Sequence, residues 1–280
     1  MATPLAGVIG HPIHHSKSPV IHNHWLRRFA LAGAYVPLSV PPDDLEPFLE
    51  MAPRLGFVGL NVTIPHKERV AALIDVKSEA ANRAGSVNTL WLGEDGAWRG
   101  DSTDGIGFIR NIEARSPGWS ANGASVAMIG AGGAARAVAA ALLEAGAARI
   151  RIANRTAARA EALVDALGRR IETAPWPLDT EFFEDADLLI NATSLGMAGA
   201  ADWSWSAPRL QAGVIATDLI YNPLETPFLS AASAAGARIV DGLGMLLHQA
   251  APGFERWFGA RPTVDEALRR EVLASLGASS

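Results

Sequence analysis

Apolar and polar positions along this 280-residue chain follow two periods in turn. Short apolar runs of strand length are followed by segments in which apolar residues recur every three or four positions, as in amphipathic helices. In the first hundred residues this pattern predicts helices that begin at Ser18-Pro19 and at Pro42. It predicts strands at 5–9, 35–40 and 57–64, and a hairpin of 86–92 with 97–99 that turns at Glu94-Asp95-Gly96.

A helix at 105–114 and a polar linker at 116–124 lead into a second series of apolar runs. Strands are predicted at 126–129, 150–153, 187–190, 214–219 and 237–240, with a candidate strand at 171–174, and helices at 245–258 and 264–276 close the chain. Strands separated by helices imply a parallel sheet with both faces covered. The predicted fold class is α/β with two domains, 1–104 completed by helices in 245–280, and 105–244, with a cleft between them.

Composition narrows the range of partners. The chain is 49% hydrophobic and 19% charged, with a formal net charge of −5, which argues against nucleic acid or an anionic membrane surface as a partner. It contains no cysteine, so disulfides, thiolate zinc sites and cysteine nucleophiles are excluded. The apolar runs are shorter than the ~18 residues of a membrane span, and the N-terminus lacks a basic segment. A cytoplasmic protein, monomeric or homodimeric, is expected.

A glycine-rich turn gives the first chemical signal. The apolar run 125–129 ends in Gly130-Ala131-Gly132-Gly133-Ala134-Ala135, and a helical pattern follows at once to Gly146. A strand, a glycine turn and a helix start place a pyrophosphate on the free N–H groups of the helix. Gly130 permits the turn, Gly132 allows close approach of phosphates, and Ala135 leaves room for the helix to pack on the strand. The alternative is a glycine turn without a ligand.

The next strand ends in residues that favour NADP over NAD. An NAD site usually has a carboxylate about 20 residues past the glycines, on the ribose 2′-hydroxyl. This chain has Asn154 there, followed by Arg155, with Arg159 one helical turn later. A guanidinium can bind a 2′-phosphate through paired hydrogen bonds, whereas a carboxylate would repel it. The alternative is a pair of solvated arginines. The domain at 105–244 is therefore predicted to be a Rossmann-type NADP-binding domain.

Three polar clusters of the first domain follow predicted elements, where α/β proteins bind ligands. Ser16 and Ser18 lie at a helix start, where they could hold a carboxylate or simply cap the helix. The others are 61–67, with Lys67, and 86–89, followed by the run 100–105 that contains Asp104. A lysine paired with an aspartate could exchange the proton that hydride transfer between an alcohol and a ketone requires, typically worth ~10²–10⁴ in rate. A surface lysine and a turn aspartate are the alternative.

These motifs together resemble the shikimate dehydrogenase family in order and spacing over nearly the whole chain. The matching segments are His15-Ser16-Lys17-Ser18-Pro19, Asn61-Val62-Thr63-Ile64-Pro65-His66-Lys67, Val87-Asn88-Thr89, Thr103-Asp104-Gly105, Gly130-Ala131-Gly132-Gly133-Ala134, Asn154-Arg155-Thr156, Asn191-Ala192-Thr193-Ser194 and Asp241-Gly242-Leu243-Gly244-Met245. The resemblance implies reversible NADPH-dependent reduction of 3-dehydroshikimate to shikimate, in chorismate and aromatic amino acid biosynthesis. The domain at 1–104 would then bind the substrate.

The resemblance also implies roles for individual residues. Lys67 and Asp104 would form the catalytic acid–base pair. Substrate contacts would come from Ser16, Ser18 and Tyr221 on the carboxylate, from Thr63, Asn88 and Asp104 on the hydroxyls, and from Gln249. Cofactor contacts would come from Gly130, Ala131, Gly132, Gly133, Ala134, Asn154, Arg155, Thr156, Arg159, Thr193, Leu219, Gly242 and Met245, the last against the nicotinamide. No metal site is expected, because the histidines near the N-terminus lack an acidic third ligand.

Two departures from the family pattern stand beside these positions. Ser102 and His11 occupy places where the family often has asparagine, and either could shift substrate preference. Two other functions stay open: a quinate/shikimate dehydrogenase of broader specificity, and a non-catalytic, dehydrogenase-like ligand sensor. The segment Trp203-Ser204-Trp205 is expected to be a packed loop.

Overall fold

The computed structural model describes residues 3–179, 181–199 and 210–277. The chain forms two compact units: unit 1 is Met1–Asp104 with Leu247–Ser280, and unit 2 is Gly105–Leu246. The packed loop predicted at 203–205 lies outside the described residues. Within the described ranges, no helix has both the length and the apolar character that crossing a bilayer requires.

Unit 1 contains a mixed six-stranded sheet. Its elements are β1 (Leu5–Gly10), α1 (Ser18–Arg28), β2 (Ala34–Ser39), α2 (Leu45–Met51), β3 (Phe57–Val62), α3 (Lys67–Leu73), β4 (Val76–Lys77), α4 (Glu79–Ala84), β5 (Thr89–Leu92) and β6 (Trp98–Asp101). The strand order is β2-β1-β3-β5-β6-β4. β1 pairs in parallel with β2 and β3, whereas β5 is antiparallel to β3 and β6.

The predicted hairpin is present, but its first strand is shorter than the sequence suggested. Strand β5 begins at Thr89, so the prediction of strand at 86–88 was wrong. The amide of Asn88 donates to Asp101 O, and the amide of Val62 donates to Asn88 O. These backbone groups are satisfied outside a regular ladder, which leaves Asn88 at the point where β3, β5 and β6 meet.

Strand β3 also ends earlier than predicted. It stops at Val62 rather than at 64, and the amide of His66 then donates to Thr63 O to close a turn. Helix α3 begins directly after this turn, at Lys67. The turn therefore brings the polar segment 63–67 to the end of β3.

The remaining elements begin with α5 (Asp104–Arg115) and end with two C-terminal helices. They are β7 (Ser125–Ile129), α6 (Gly133–Glu144), β8 (Arg149–Ala153), α7 (Ala157–Leu167), β9 (Ile171–Ala174), β10 (Leu188–Asn191), β11 (Ile215–Asp218), α8 (Pro227–Ala234), β12 (Arg238–Val240), α9 (Leu243–Phe258) and α10 (Glu266–Gly277). Short 3-10 helices lie at Pro42–Asp44, Ala52–Leu55 and Glu181–Phe183.

The C-terminal part of α9 packs on the sheet of unit 1. The indole Nε1 of Trp257 donates to Leu90 O at 2.9 Å. A Cβ on Gly59 would lie 1.8 Å from that nitrogen, so only glycine at this position of β3 admits the ring. The contact fixes α9 over the strands that lead into the polar segments, and α10 packs against α1.

Unit 2 has a fully parallel sheet, as predicted for strands separated by helices. Its order is β12-β11-β10-β7-β8-β9, and the candidate strand at 171–174 is β9. Read from the other edge, this is the order 3-2-1-4-5-6 of a doubly wound dinucleotide-binding sheet. The order reverses between β7 and β10, so the crevice at their carboxyl ends is the expected ligand site in this unit. The α/β prediction is confirmed.

Candidate functional site

The two predicted carboxylate-binding serines lie at the start of α1. The amide of Ser18 donates to Ser16 Oγ at 3.3 Å, and Ser18 is buried. The N-cap residue is Lys17, which makes no side-chain cap hydrogen bond. The hydroxyl of Ser16 therefore accepts one N–H of the helix start, although the N-cap position itself is a lysine. Lys17 Nζ donates instead to Ser275 O in α10 at 2.8 Å, which ties the serine segment to the C-terminal helix.

Lys67 and Asp104 form a close ion pair. Lys67 Nζ donates to Asp104 Oδ2 at 2.5 Å, and the two side chains are 17% and 6% exposed. Lys67 is the first residue of α3 and Asp104 is the first residue of α5, so both side chains project from helix starts. The ammonium of the pair keeps some access to solvent while the carboxylate is enclosed.

Asn88 holds the other carboxylate oxygen of Asp104. Asn88 Oδ1 accepts the backbone N–H of Thr103 at 2.8 Å, a group that can only donate. The amide orientation follows from this bond. Asn88 Nδ2 therefore faces the opposite side, where it donates to Asp104 Oδ1 at 2.9 Å and to Gln249 Oε1 at 3.1 Å. Asp104 Oδ2 is left for Lys67.

Gln249 reaches this cluster from the C-terminal segment of the chain. Its backbone oxygen accepts the hydroxyl of Thr103 at 2.8 Å, so Thr103 connects α9 to Asn88. The structure thus brings together four of the predicted residues of unit 1, namely Lys67, Asn88, Asp104 and Gln249. Thr63 is half-buried at the end of β3, in the turn that leads to Lys67.

The sequence did not predict the residues of β2 and β3 that hold Asn88 in place through hydrogen bonds. Asn61 Nδ2 donates to Asn88 O at 3.1 Å, and Asn61 Oδ1 accepts the phenol of Tyr35 at 2.6 Å. Burial raises the pKa of Tyr35 well above its usual value, and a hydrogen bond from Ser18 opposes that rise. Because Asn61 and Tyr35 lie in apolar strands, their polar side chains were the available signal for a buried network.

His22 lies against the same network, and neither of its ring nitrogens has a well-formed hydrogen bond to any of the described residues. Its ring stacks on Tyr35, with centroids 4.0 Å apart and planes 7° apart, and the side chain is fully buried. Burial lowers the pKa of His22 from 6.5 to about 3, opposed by the nearby Asn61 side chain. The imidazole is neutral and forms part of the core beneath the serine segment.

The predicted phosphate turn of unit 2 has the expected backbone geometry. Gly130 has a φ of +110°, and a Cβ there would lie 2.8 Å from the carbonyl carbon of Ala192. Gly132 has an extended backbone, and a Cβ there would meet no atom within 4 Å. Helix α6 begins at Gly133 with no side-chain cap and no acidic residue in its first turn, and Ala135 is buried. The helix start is thus uncapped by any side chain that the structure describes, with open space next to Gly132.

Two arginines follow the next strand. Arg155 and Arg159 are both exposed, and neither forms an ion pair with any residue in the described part of the chain. Asn154 Nδ2 donates to Thr156 O at 2.8 Å, which shapes the loop between β8 and α7. Two guanidinium groups are thus available to an anion at the carboxyl end of β8.

The last predicted residues of unit 2 lie near the carboxyl ends of β10 and β11. Thr193 follows β10, and Leu219 and Tyr221 follow β11. A Cβ on Gly242 would lie 2.4 Å from Ile220 O, so this segment passes directly over the glycine. Met245 is buried in the core of unit 2. Burial also raises the pKa of Tyr221, so its phenol remains a neutral donor.

The two departures from the family pattern have different environments. Ser102 is buried, and its hydroxyl has no hydrogen-bond partner among the described residues. His11 is exposed, with Nδ1 3.2 Å from Ser39 Oγ. Neither residue contacts Lys67 or Asp104 through a hydrogen bond in the part of the chain that the structure describes.

Three family models match successive parts of the chain. Residues 8–90 match the shikimate dehydrogenase substrate binding domain, and residues 113–197 match shikimate / quinate 5-dehydrogenase. Residues 242–269 match the shikimate 5'-dehydrogenase C-terminal domain. Together the three models include all the predicted catalytic and substrate residues except Asp104 and Tyr221.

Whole-chain relatives agree with these matches. The chain is 51% identical over 275 residues to a shikimate dehydrogenase (NADP(+)) of Cereibacter sphaeroides, covering 98% of this chain and 99% of that one. It is 36% identical to the Thermus thermophilus shikimate 5-dehydrogenase solved with NADP(H) and shikimate, with a TM-score of 0.84 and coverage of 98% and 99%. A quinate dehydrogenase from Corynebacterium glutamicum solved with NAD has 31% identity, a TM-score of 0.86 and the same coverage. The chain therefore belongs to the shikimate dehydrogenase family.

Proposed function

We propose that this protein catalyses the reversible NADPH-dependent reduction of 3-dehydroshikimate to shikimate, in the cytoplasm, as a step of aromatic amino acid biosynthesis. The observation that carries the proposal is the Lys67–Asp104 ion pair, hydrogen-bonded through Asn88 to Gln249. An ammonium held in one orientation, next to neutral amide donors, is what a ketone oxygen needs when it becomes a hydroxyl. Family membership adds the substrate class.

The proton is supplied by Lys67. When NADPH is bound it provides the hydride, which forms the new C–H bond at the carbonyl carbon. The carbonyl oxygen gains negative charge as this bond forms, and Lys67 Nζ donates a proton to it. Asp104 Oδ2 orients the ammonium by accepting a hydrogen bond from it, and Asn88 Nδ2 donates to the other oxygen of Asp104. In the reverse direction the neutral lysine takes the proton back from the hydroxyl.

The predicted substrate contacts divide by chemistry. Ser16 and Ser18 offer hydroxyl groups at the start of α1, a favourable place for the carboxylate of the substrate. Thr63, Asn88 and Asp104 are proposed to bind its hydroxyl groups, and Gln249 adds an amide from α9. Tyr221 keeps its predicted role as a donor to the carboxylate.

The residues of unit 2 fit a dinucleotide with a 2′-phosphate. The open space next to Gly132 and the uncapped start of α6 suit a pyrophosphate, since the helix dipole and its free N–H groups favour an anion. We assign Gly130, Ala131, Gly133 and Ala134 to the same turn. Asn154, Arg155, Thr156 and Arg159 would hold the adenosine 2′-phosphate, and Thr193, Leu219, Gly242 and Met245 would follow the cofactor toward its nicotinamide.

The decisive assay follows reduced-nicotinamide absorbance with shikimate and NADP, with quinate and NAD as matched alternatives. Shikimate with NADP is expected to give the highest kcat/KM of the four combinations. A preference for quinate with NAD would contradict the proposal and favour the broader dehydrogenase. Purified, folded protein that binds shikimate without any turnover would favour a ligand sensor instead.

A further inference from the structure

Asp218 is a buried carboxylate to which the proposed function gives no chemical role. It ends β11 and is completely shielded from solvent. Oδ1 accepts the amide of Ile220 at 2.9 Å, and Oδ2 accepts Asn191 Nδ2 at 2.9 Å and Thr226 Oγ1 at 2.7 Å. Burial raises the pKa of Asp218 to about 6, and these three hydrogen bonds oppose the rise. A buried acid costs stability unless its oxygens are bonded, and here both oxygens are.

One of these bonds connects Asp218 to the segment after β10. Asn191 Oδ1 accepts the amide of Thr193 at 3.0 Å and its hydroxyl at 2.7 Å. Since a backbone N–H can only donate, Asn191 Nδ2 must face the carboxylate. The backbone oxygen of Asn191 also accepts the amide of Leu219 at 2.9 Å. Thr193 and Leu219, two proposed cofactor contacts, are therefore held by the same asparagine.

The other two bonds connect Asp218 to the segment after β11. The Ile220 bond fixes the turn that carries Leu219 and Tyr221 out of the sheet. Gly242 lies against this turn, where any side chain would collide with the backbone of Asp218 and Ile220. The hydroxyl of Thr226 donates to Asp218 and accepts the amide of Leu229, so it connects the carboxylate to the start of α8.

We propose that Asp218 is a positioning residue for cofactor binding, which holds Thr193, Leu219 and Tyr221 in place through Asn191, Ile220 and Thr226. The inference rests on the proposed function for the roles of those three residues. It extends that function by assigning the geometry of the cofactor segment to one carboxylate whose two oxygens both accept hydrogen bonds from the protein.

Four variants of the full-length protein test this role. Asp218→Asn keeps the shape but places an amide against groups that donate, and Thr226→Val removes one donor. Thr226→Ser retains the hydroxyl and should rescue the wild-type behaviour. Thr217→Val is the matched control, because Thr217 is the preceding buried residue of β11 and its hydroxyl has no partner among the described residues.

Dissociation constants for NADPH, from fluorescence titration, and KM for NADP with shikimate are the readouts. Asp218→Asn is expected to raise both about 10-fold, and Thr226→Val several-fold, as expected for loss of hydrogen bonds to a charged group. Shikimate KM should change less, and Thr226→Ser and Thr217→Val should match the wild type. Unfolding midpoints measured in parallel show whether each variant is folded.

A purely structural role would lower the unfolding midpoint and the active fraction but leave the NADPH dissociation constant within about 2-fold of wild type. That result in Asp218→Asn would overturn the inference, as would equal effects of Thr226→Val and Thr217→Val. If Asp218→Asn does not fold, the Thr226→Val and Thr226→Ser pair decides. A wild-type protein that binds NADPH but does not oxidise shikimate would refute the proposed activity, while the binding data would still test Asp218.

Discussion

In unit 1 the candidate site consists of side chains that hydrogen-bond to one another, whereas in unit 2 it consists of backbone N–H groups, small residues and exposed arginines. Lys67, Asp104, Asn88 and Gln249 form one connected cluster. The residues around Gly132 leave space, and Arg155 and Arg159 reach into solvent. The chemistry of unit 1 therefore depends on the identity of each side chain, while binding in unit 2 depends on what the backbone leaves uncovered.

The largest effect is expected from Lys67→Ala. Removing the ammonium should lower kcat by at least ~10² and change KM for shikimate little, because the proton donor acts mainly in the transition state. Steady-state kinetics with shikimate and NADP measure this. Lys77→Ala is the control, since Lys77 is a half-buried lysine of the same unit that donates to Ile74 O. Near-normal turnover of Lys67→Ala would remove Lys67 from its role.

Arg155→Ala should affect only the binding of the cofactor by unit 2. We expect KM for NADP to rise about 10-fold or more and KM for NAD to change little, because a charge-assisted hydrogen bond to the 2′-phosphate is lost. Arg169→Ala, an exposed arginine just beyond the other end of α7, controls for the loss of positive charge. Equal increases for the two cofactors would refute the 2′-phosphate assignment.

Two glycine variants distinguish the loss of room for the cofactor from backbone strain in unit 2. Gly132→Ala should raise KM for NADP several-fold without lowering the unfolding midpoint, since its Cβ enters open space and its backbone is extended. Gly130→Ala should also cost ~1–3 kcal/mol of stability, because it combines a φ of +110° with a contact of 2.8 Å to Ala192. Thermal unfolding and kinetics on both variants measure the difference; equal loss of stability would contradict it.

The smallest expected effect is a pair of opposite pH dependences. His22 has a pKa of about 3 when folded and about 6.5 when unfolded. The stability that depends on its neutral form is complete above pH 6.5 and is lost as the pH falls toward 3. Asp218, with a folded pKa of about 6 against 3.8, binds more protons when folded, so its contribution falls as the pH rises from 3.8 to 6.

Urea unfolding of His22→Phe and Asp218→Asn across this pH range tests both signs. His22→Phe should remove a rise in stability with pH between about 3 and 6.5, and Asp218→Asn should remove a fall between 3.8 and about 6, so the two substitutions change the slope of the profile in opposite directions. If the free energy of unfolding has the same slope against pH in the wild type and in His22→Phe between pH 3 and 6.5, the imidazole is not buried in its neutral form.

The order of strands and helices could be predicted because each carries its own periodicity. The parallel sheet of unit 2 and the glycine turn after β7 followed from sequence pattern alone. Helices α3 and α4 and the two-residue strand β4 were not predicted, because elements this short take their stability from the surrounding core rather than from propensity. The end of β3 was predicted at 64 and the start of β5 at 86. Both were misplaced because backbone partners distant in sequence decide where a strand begins and ends.

The candidate site was predictable as a set of residues but not as a network. Nothing in local sequence shows that Thr103 orients Asn88, or that Gly59 lets Trp257 bring α9 over the strands. These relations join positions that are distant along the chain, so no local pattern records them. Asp218 did leave a signal, because an acid inside the apolar run 214–220 must find buried donors.

The boundaries of the two units fall inside helices. α5 begins with the last residue of one segment of unit 1, and α9 passes from unit 2 back to unit 1 between Leu246 and Leu247. A chimera that exchanges cofactor specificity between relatives should therefore not be joined at these boundaries, because the cuts would sever hydrogen-bonded helical turns. Joints in the loop at 116–124 and directly after β12 keep both helices intact and transfer the six parallel strands as one module.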